Sequence, residues 1–346
     1  MKRWFNGLQS LRGILFLLVF YSHSGKFFYV PNYLDLGAFS VCVFFILSGF
    51  LSSYDVYSSD WSFIRIISDG FSNVFKKLKK FYPIYFLFLL VAIPLTFKSF
   101  KNLFYCTFLI QSYFFDTKIA LSFNWPTWFL SSLLISYFLA PLLCRVFRFK
   151  MVYENIICVL FTIVIIAIWT YVWRNDSEIY GRGYYYVYIF PLARALDFII
   201  GINLGFLFQK NDNLDEISEF KVSFATVVET VVIISICGLF TIGKIFVPRI
   251  ATYTAVFIPF AVMLILVFAR ERGLITRYFA NNKVILFIGK LSFELYIVHR
   301  MVLLFYSHFD QSMFSWFSAL LSTLLLGIMF YSLNNLIIIR KQQFQK

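Results

Sequence analysis

Long apolar runs separated by short polar connections organise this chain. Ten of them, roughly 8–29, 36–56, 81–97, 126–147, 153–173, 184–208, 222–243, 249–269, 284–306 and 313–339, are long enough to cross about 30 Å of hydrocarbon as helices. An eleventh, 101–115, is short and reads as a re-entrant or surface-lying segment. The longest connections, 57–80 and 98–125, leave no room for a soluble domain between runs. The pattern predicts an all-α fold: a polytopic membrane helix bundle of about ten transmembrane helices. It forms a single integral-membrane domain over 1–346 with no appended soluble domain.

Composition supports the pattern and the charges orient it. Hydrophobic residues fill 60% of the 346 positions and charged residues 14%, a balance foreign to a soluble domain of this size. Residues 1–29 do not read as a cleaved signal, because Arg12 interrupts the apolar region and no small-residue cleavage site follows. With the N-terminus in the cytoplasm and 101–115 not counted as a span, the cytoplasmic connections collect 19 Lys and Arg against 7 outside. The bias of basic residues toward the cytoplasm predicts this arrangement, with both termini cytoplasmic. The formal net charge of +14 is therefore topological, and 47 phenylalanines are apolar bulk, so no nucleic-acid partner is expected. Within the first connection, Trp61, Phe63, Ile66, Phe71 and Phe75 are mixed with Arg65, Lys76, Lys77, Lys79 and Lys80. That mixture predicts a basic amphipathic helix on the inner leaflet, suited to anchoring on anionic lipid or to holding an anionic ligand.

Common soluble-enzyme signatures are missing. Cys42, Cys106, Cys144, Cys158 and Cys237 are scattered singly, which implies neither disulfide nor metal site. The run GLFTIGK at 238–244 approaches a phosphate-binding loop, but Ile245 stands where a hydroxyl is needed and the segment closes a span. No GxSxG, HExxH or HxxxxD occurs.

Polar residues inside the spans carry the chemistry. Arg12 and His23 are eleven residues apart in the first run, so on a helix they lie about 20° apart in azimuth and about 16 Å apart along the axis. One helix face thus carries a permanent cation near the cytoplasmic boundary and an imidazole three turns deeper. A snorkelling interface arginine is the plain alternative for Arg12; His23, flanked by Ser22 and Ser24, resists such a reading. In the sixth run Arg194 and Asp197 suit either a charge-compensating ion pair or a site. In the ninth, Ser292, Tyr296 and His299 share a face, and Lys290 with Glu294 forms an i, i+4 pair of structural type.

Six segments, in order, resemble one family. LQSLRGILFLLVFYSH (8–23), VFFILSGFL (43–51), KKLKKFYPIYFL (76–87), PTWFLSSLLISYFLAPLL (126–143), FPLARALDFIIGINLG (190–205) and GKLSFELYIVHR (289–300) look like the blocks of the membrane acyltransferase 3 family of bacterial O-acyltransferases. The resemblance covers almost the whole chain. It implies an inner-membrane enzyme that uses a cytoplasmic acyl-CoA, usually acetyl-CoA, as co-substrate and holds no permanent cofactor or metal. The acceptor would be a hydroxyl of a cell-envelope polysaccharide or glycolipid. Arg12 and His23 then match the family's catalytic pair. Ser48, Trp128, Arg194, Asp197, Tyr296 and His299 fall in blocks that would bind substrate. Arg12 with Lys76, Lys77, Lys79 and Lys80 would bind the acyl-CoA. Membrane lipid is the other partner, with a second copy or a glycan-assembly protein compatible.

The chain departs from the pattern in places. No Glu follows Trp128, where many relatives carry one, and Ser40 replaces a common Gly. The residues fit the chemistry nonetheless. Transfer from a thioester to a hydroxyl needs a base and donors for the oxyanion, and His23 is the only histidine in the first half of the chain. His23 serves as general base or as an acyl relay, while Arg12 suits the phosphates or carbonyl of the donor. A flippase for lipid-linked glycan is the other class that in-span charges allow, without acyl transfer; paired breaks in two repeated halves would mark it, and none stands out.

Overall fold

The computed structural model describes residues 5–30, 35–55, 57, 61–97, 99–176, 178–211 and 219–343. Of the basic residues behind the predicted charge asymmetry, Lys2, Arg3, Lys98 and Lys346 lie outside these residues, as do the side chains of Lys221, Lys244, Arg340 and Lys341.

All regular structure among the described residues is helical. In chain order the helices are α1 (Asn6–Ser24), α2 (Leu36–Ser52), α3 (Phe63–Thr96), α4 (Phe100–Thr107), α5 (Thr117–Ala120), α6 (Trp128–Val146), α7 (Val152–Val172), α8 (Arg182–Tyr184), α9 (Pro191–Asn211), α10 (Glu219–Phe246), α11 (Ile258–Arg270), α12 (Leu274–Asn281), α13 (Lys283–Ser307) and α14 (Met313–Gln343). Among the described residues, seven segments are long and apolar enough to cross a membrane: Phe63–Thr96, Trp125–Val146, Val152–Val172, Arg182–Lys210, Val222–Thr241, Arg249–Arg270 and Met313–Asn334. Helix α2 is equally apolar but shorter, while α1 and α13 fall outside that set. The last two carry the Arg, His, Lys and Glu residues that lower their hydropathy, and they pack on each other inside the bundle.

Glycines decide which helices touch. A side chain at Gly289 of α13 would strike the Gln9 carbonyl of α1, and one at Gly13 would come within 2.7 Å of the Ile285 carbonyl. The same device joins α2 to α9, where Gly49 faces the Phe198 carbonyl and Gly201 the Ile46 carbonyl. Small residues let helix backbones approach where lipid supplies no hydrophobic drive for association. These two contacts fix α1, α2, α9 and α13 as the centre around which the more lipid-exposed helices gather.

Three predicted elements change shape. The amphipathic segment 61–80 and the span 81–97 are one 34-residue helix, α3. Pro83 removes a backbone bond there, but no glycine or capping residue follows to stop the helix. The sixth run, predicted as one helix, breaks at Phe190 (ψ 122°) between a π-helical turn, Tyr185–Ile189, and α9. Pro191 disfavours helical geometry in the residue before it. The eighth run is likewise a 3-10 turn, Arg249–Tyr253, followed by α11 with Pro259 in its first turn. The segment 101–115 does not cross: α4 has eight residues, about 12 Å of helix. Its continuation re-enters the protein, where Ser112 donates to the Trp128 carbonyl (2.9 Å) and its own carbonyl accepts from the Tyr185 hydroxyl (2.7 Å). Irregular backbone is tolerated there because the protein satisfies it.

Candidate active site

A cavity of about 300 Å³ opens where α1, α2, α3, α6 and α13 meet. Arg12 comes from α1, Ser48 from α2, Lys76, Lys77 and Lys80 from α3, Phe129, Leu133 and Tyr137 from α6, and Ser292 and Tyr296 from α13. Four cations and one carboxylate, Asp55, line it, so the charge it presents is positive. Lys80 and Arg12 are close enough for their charges to interact with each other and with Glu294. The Lys77 ammonium sits 4.6 Å above the Tyr137 ring. Aromatic and aliphatic side chains form the rest of the wall. The Ser292 hydroxyl is buried and makes no hydrogen bond among the described residues, and it lines the cavity. Phosphate-sized anions bind best where several cations converge on a partly dry surface.

The far end of α1 holds a second cluster. His23 Nδ1 lies 2.7 Å from His299 Nε2 of α13, and the rings are 13° from parallel with centroids 5.1 Å apart. That centroid distance is close to the nitrogen contact plus the two ring radii, so the rings meet edge to edge, not face to face. His299 is fully buried, and its Nδ1 is 2.7 Å from the Tyr296 carbonyl. Trp125, ahead of α6, packs 4.4 Å from the His23 ring. Lys26 lies 4.2 Å and Arg300 5.6 Å from the Trp125 centroid, and Lys26 also donates to the Tyr180 hydroxyl at 2.7 Å.

Tyr296 joins the two places. Its ring lines the cavity, its hydroxyl donates to the Pro126 carbonyl at 2.9 Å, and its own carbonyl meets His299. The site is therefore two-ended, with a basic cavity at Arg12 and an imidazole pair about three turns along the same helix face.

Of the residues singled out in the sequence, Arg12, Ser48, Lys76, Lys77, Lys80 and Tyr296 line the cavity. Lys79 does not; it turns outward over Phe75. Trp128 is buried against Tyr188 with a 4.7 Å ring spacing and does not line the cavity. Arg194 and Asp197 are also placed elsewhere. They form an ion pair of 2.9 Å at 1% and 0% side-chain exposure, with Arg194 donating to the Val187 carbonyl of the π-helical turn and Asp197 accepting from Thr254. The expected Lys290–Glu294 pair is not formed: Lys290 is exposed at the surface, whereas Glu294 turns inward and is 1% exposed. Its electrostatic partners are Lys80 and Arg12, the cations at the cavity.

Sequence reasoning missed Trp125, Lys26, Arg300 and the cavity role of Ser292. It noted that Ser292 and His299 share a face with Tyr296 but had no means of assigning that face to α1. A usable signal existed in the scarcity of histidine, since the chain has only 3.

The arrangement is that of a membrane helix bundle with a basic cavity and an imidazole pair of which His299 is buried and His23 half-buried. Residues 5–334 match the family described as an acyltransferase domain, acyltransferase family 3. The chain belongs to that family and is a multi-pass membrane acyltransferase. No curated protein and no solved structure matches it.

Proposed function

We propose that this protein is an O-acyltransferase, most simply an O-acetyltransferase, of the bacterial inner membrane. It moves an acyl group from cytoplasmic acyl-CoA to a hydroxyl of a cell-surface polysaccharide or glycolipid. The observation that carries the reading is the two-ended site: a basic cavity at Arg12 and a hydrogen-bonded imidazole at His23 on one face of α1. Arg12, Lys76, Lys77 and Lys80 hold the phosphates of the donor, and the apolar wall accepts its acyl-bearing arm. His23 takes the acceptor's hydroxyl proton, the oxygen attacks the thioester carbonyl, the C–S bond breaks, and the thiolate leaves as CoA after taking a proton back. Before that step the arm of the donor carries the intact thioester along the face of α1, past Tyr296, to His23. Ten spans with both termini in the cytoplasm belong to the same reading; α1, α2 and α13 added to the seven apolar segments support that number.

The test is transfer of labelled acetyl from acetyl-CoA to envelope glycan in proteoliposomes. His23→Ala is expected to lower turnover by about 10²–10⁴-fold, the range general-base catalysis supplies. Full activity in that variant, with protein levels unchanged, would overturn the role given to His23. Movement of glycan without its acylation would instead favour a flippase.

A further inference from the structure

We propose that His299 is a positioning residue that fixes the ring proton of His23 on Nδ1, leaving Nε2, on the side of Gly37, as the lone-pair nitrogen. The tautomer assignment stands on geometry alone; its catalytic meaning rests on His23 being the base.

The hydrogen-bond chain has one consistent direction. A carbonyl oxygen can only accept, so His299 Nδ1, 2.7 Å from the Tyr296 carbonyl, carries the hydrogen. A neutral imidazole has a single N–H, so His299 Nε2 holds a lone pair. The 2.7 Å contact with His23 Nδ1, between rings almost in one plane, therefore runs from His23 to His299. His23 Nε2 is left unprotonated and without a partner in that chain. The assignment follows from the network, as it must where hydrogens are not seen.

The surroundings of Nε2 fit a hydroxyl waiting for deprotonation. Gly37, in the first turn of α2, faces that nitrogen: a Cβ added there would lie 3.6 Å from Nε2 and 3.0 Å from the Ser22 hydroxyl. A side chain at position 37 would crowd Ser22 and contact Nε2, and glycine places none there. When Nε2 accepts the hydroxyl proton, His23 becomes an imidazolium whose Nδ1–H already points at an acceptor, and that acceptor is anchored to the main chain of α13. Without His299, His23 is free to rotate or to carry its hydrogen on Nε2, and a protonated Nε2 cannot act as base. His299 never touches the acceptor in this scheme.

The chain has 3 histidines, so nitrogen-15 histidine labelling of the full protein in micelles gives a spectrum with few signals. His308→Gln, at an exposed position, assigns the third ring. In wild type both His23 and His299 are expected as Nδ1–H tautomers. His299→Leu is expected to move the His23 proton toward Nε2 and to lower transfer by about 10²-fold or more with the KM for acetyl-CoA unchanged. His299→Gln, whose amide oxygen can take the place of Nε2 as acceptor, should keep His23 as Nδ1–H and stay within about tenfold of wild type. An Nε2–H tautomer of His23 in wild type overturns the proposal, and so does an equal loss in the Leu and Gln variants. Should His299→Leu fail to fold, the wild-type spectrum and the Gln variant decide. The spectrum does not depend on turnover, so absence of acyl transfer in every variant, wild type included, would count against the proposed function and leave the tautomer result standing.

Discussion

The Arg194–Asp197 pair offers a sharp test of whether a charged motif inside a membrane protein is a site or a strut. Both side chains are removed from solvent, at 1% and 0% exposure, with 2.9 Å between Nη1 and Oδ2. Neither lines the cavity. Arg194 reaches back to the Val187 carbonyl at 2.9 Å, so the pair clamps the π-helical turn to α9, and the Thr254 hydroxyl closes the other side at 3.3 Å. Asp197→Leu leaves a dry, uncompensated guanidinium, and breaking one partner of a buried pair costs about 3–5 kcal/mol. At 1.4 kcal/mol per decade that is on the order of 10²–10⁴ in the folding equilibrium constant. Replacing both residues by apolar ones of similar volume, Arg194→Met with Asp197→Leu, removes the charge along with its partner and should recover most of that loss. The assay is thermal unfolding in detergent for the two single variants and the double, with acetyl transfer measured per folded molecule. The expected pattern is two strongly destabilised singles, a double near wild-type stability, and specific activity within a few-fold throughout. A folded double variant of normal stability and no activity would refute the structural reading and return the pair to the substrate site.

Two further outcomes follow from other contacts. Lys77→Gln combined with Lys80→Gln removes two of the four cations lining the cavity, and should raise the KM for acetyl-CoA with turnover little changed; unaltered KM and salt dependence would remove these lysines from the donor site. Glu229 of α10 accepts from the backbone N–H groups of Gly273, Ile275 and Thr276 at 2.9–3.2 Å and from the Thr276 hydroxyl, thereby capping α12; Glu229→Ala should destabilise the protein by about 1–3 kcal/mol, and an unshifted unfolding midpoint would contradict that role.

Much of this was legible in the chain, and what escaped shares one cause. Apolar runs, the face shared by Arg12 and His23, and the basic run at Lys76–Lys80 are local, and helix periodicity reads them directly. Local breaks were harder to read: Pro191 and Pro259 interrupt two runs, while Pro83 interrupts none. Glu229 drew no notice, because its meaning lies in backbone groups more than forty residues later.

By itself the sequence determined that lipid is the solvent, that the fold is helical, and that a cation and an imidazole ride one face of the first helix. Only tertiary structure decided that His299, 276 residues away, closes on His23, that Tyr296 stands between the imidazole pair and the cavity, and that Arg194 and Asp197 lie apart from both. Periodicity gives each helix a face but not the neighbour that face will meet. That choice is made by close approach at Gly13 and Gly289, where the lack of side chains lets α1 and α13 touch backbone to backbone.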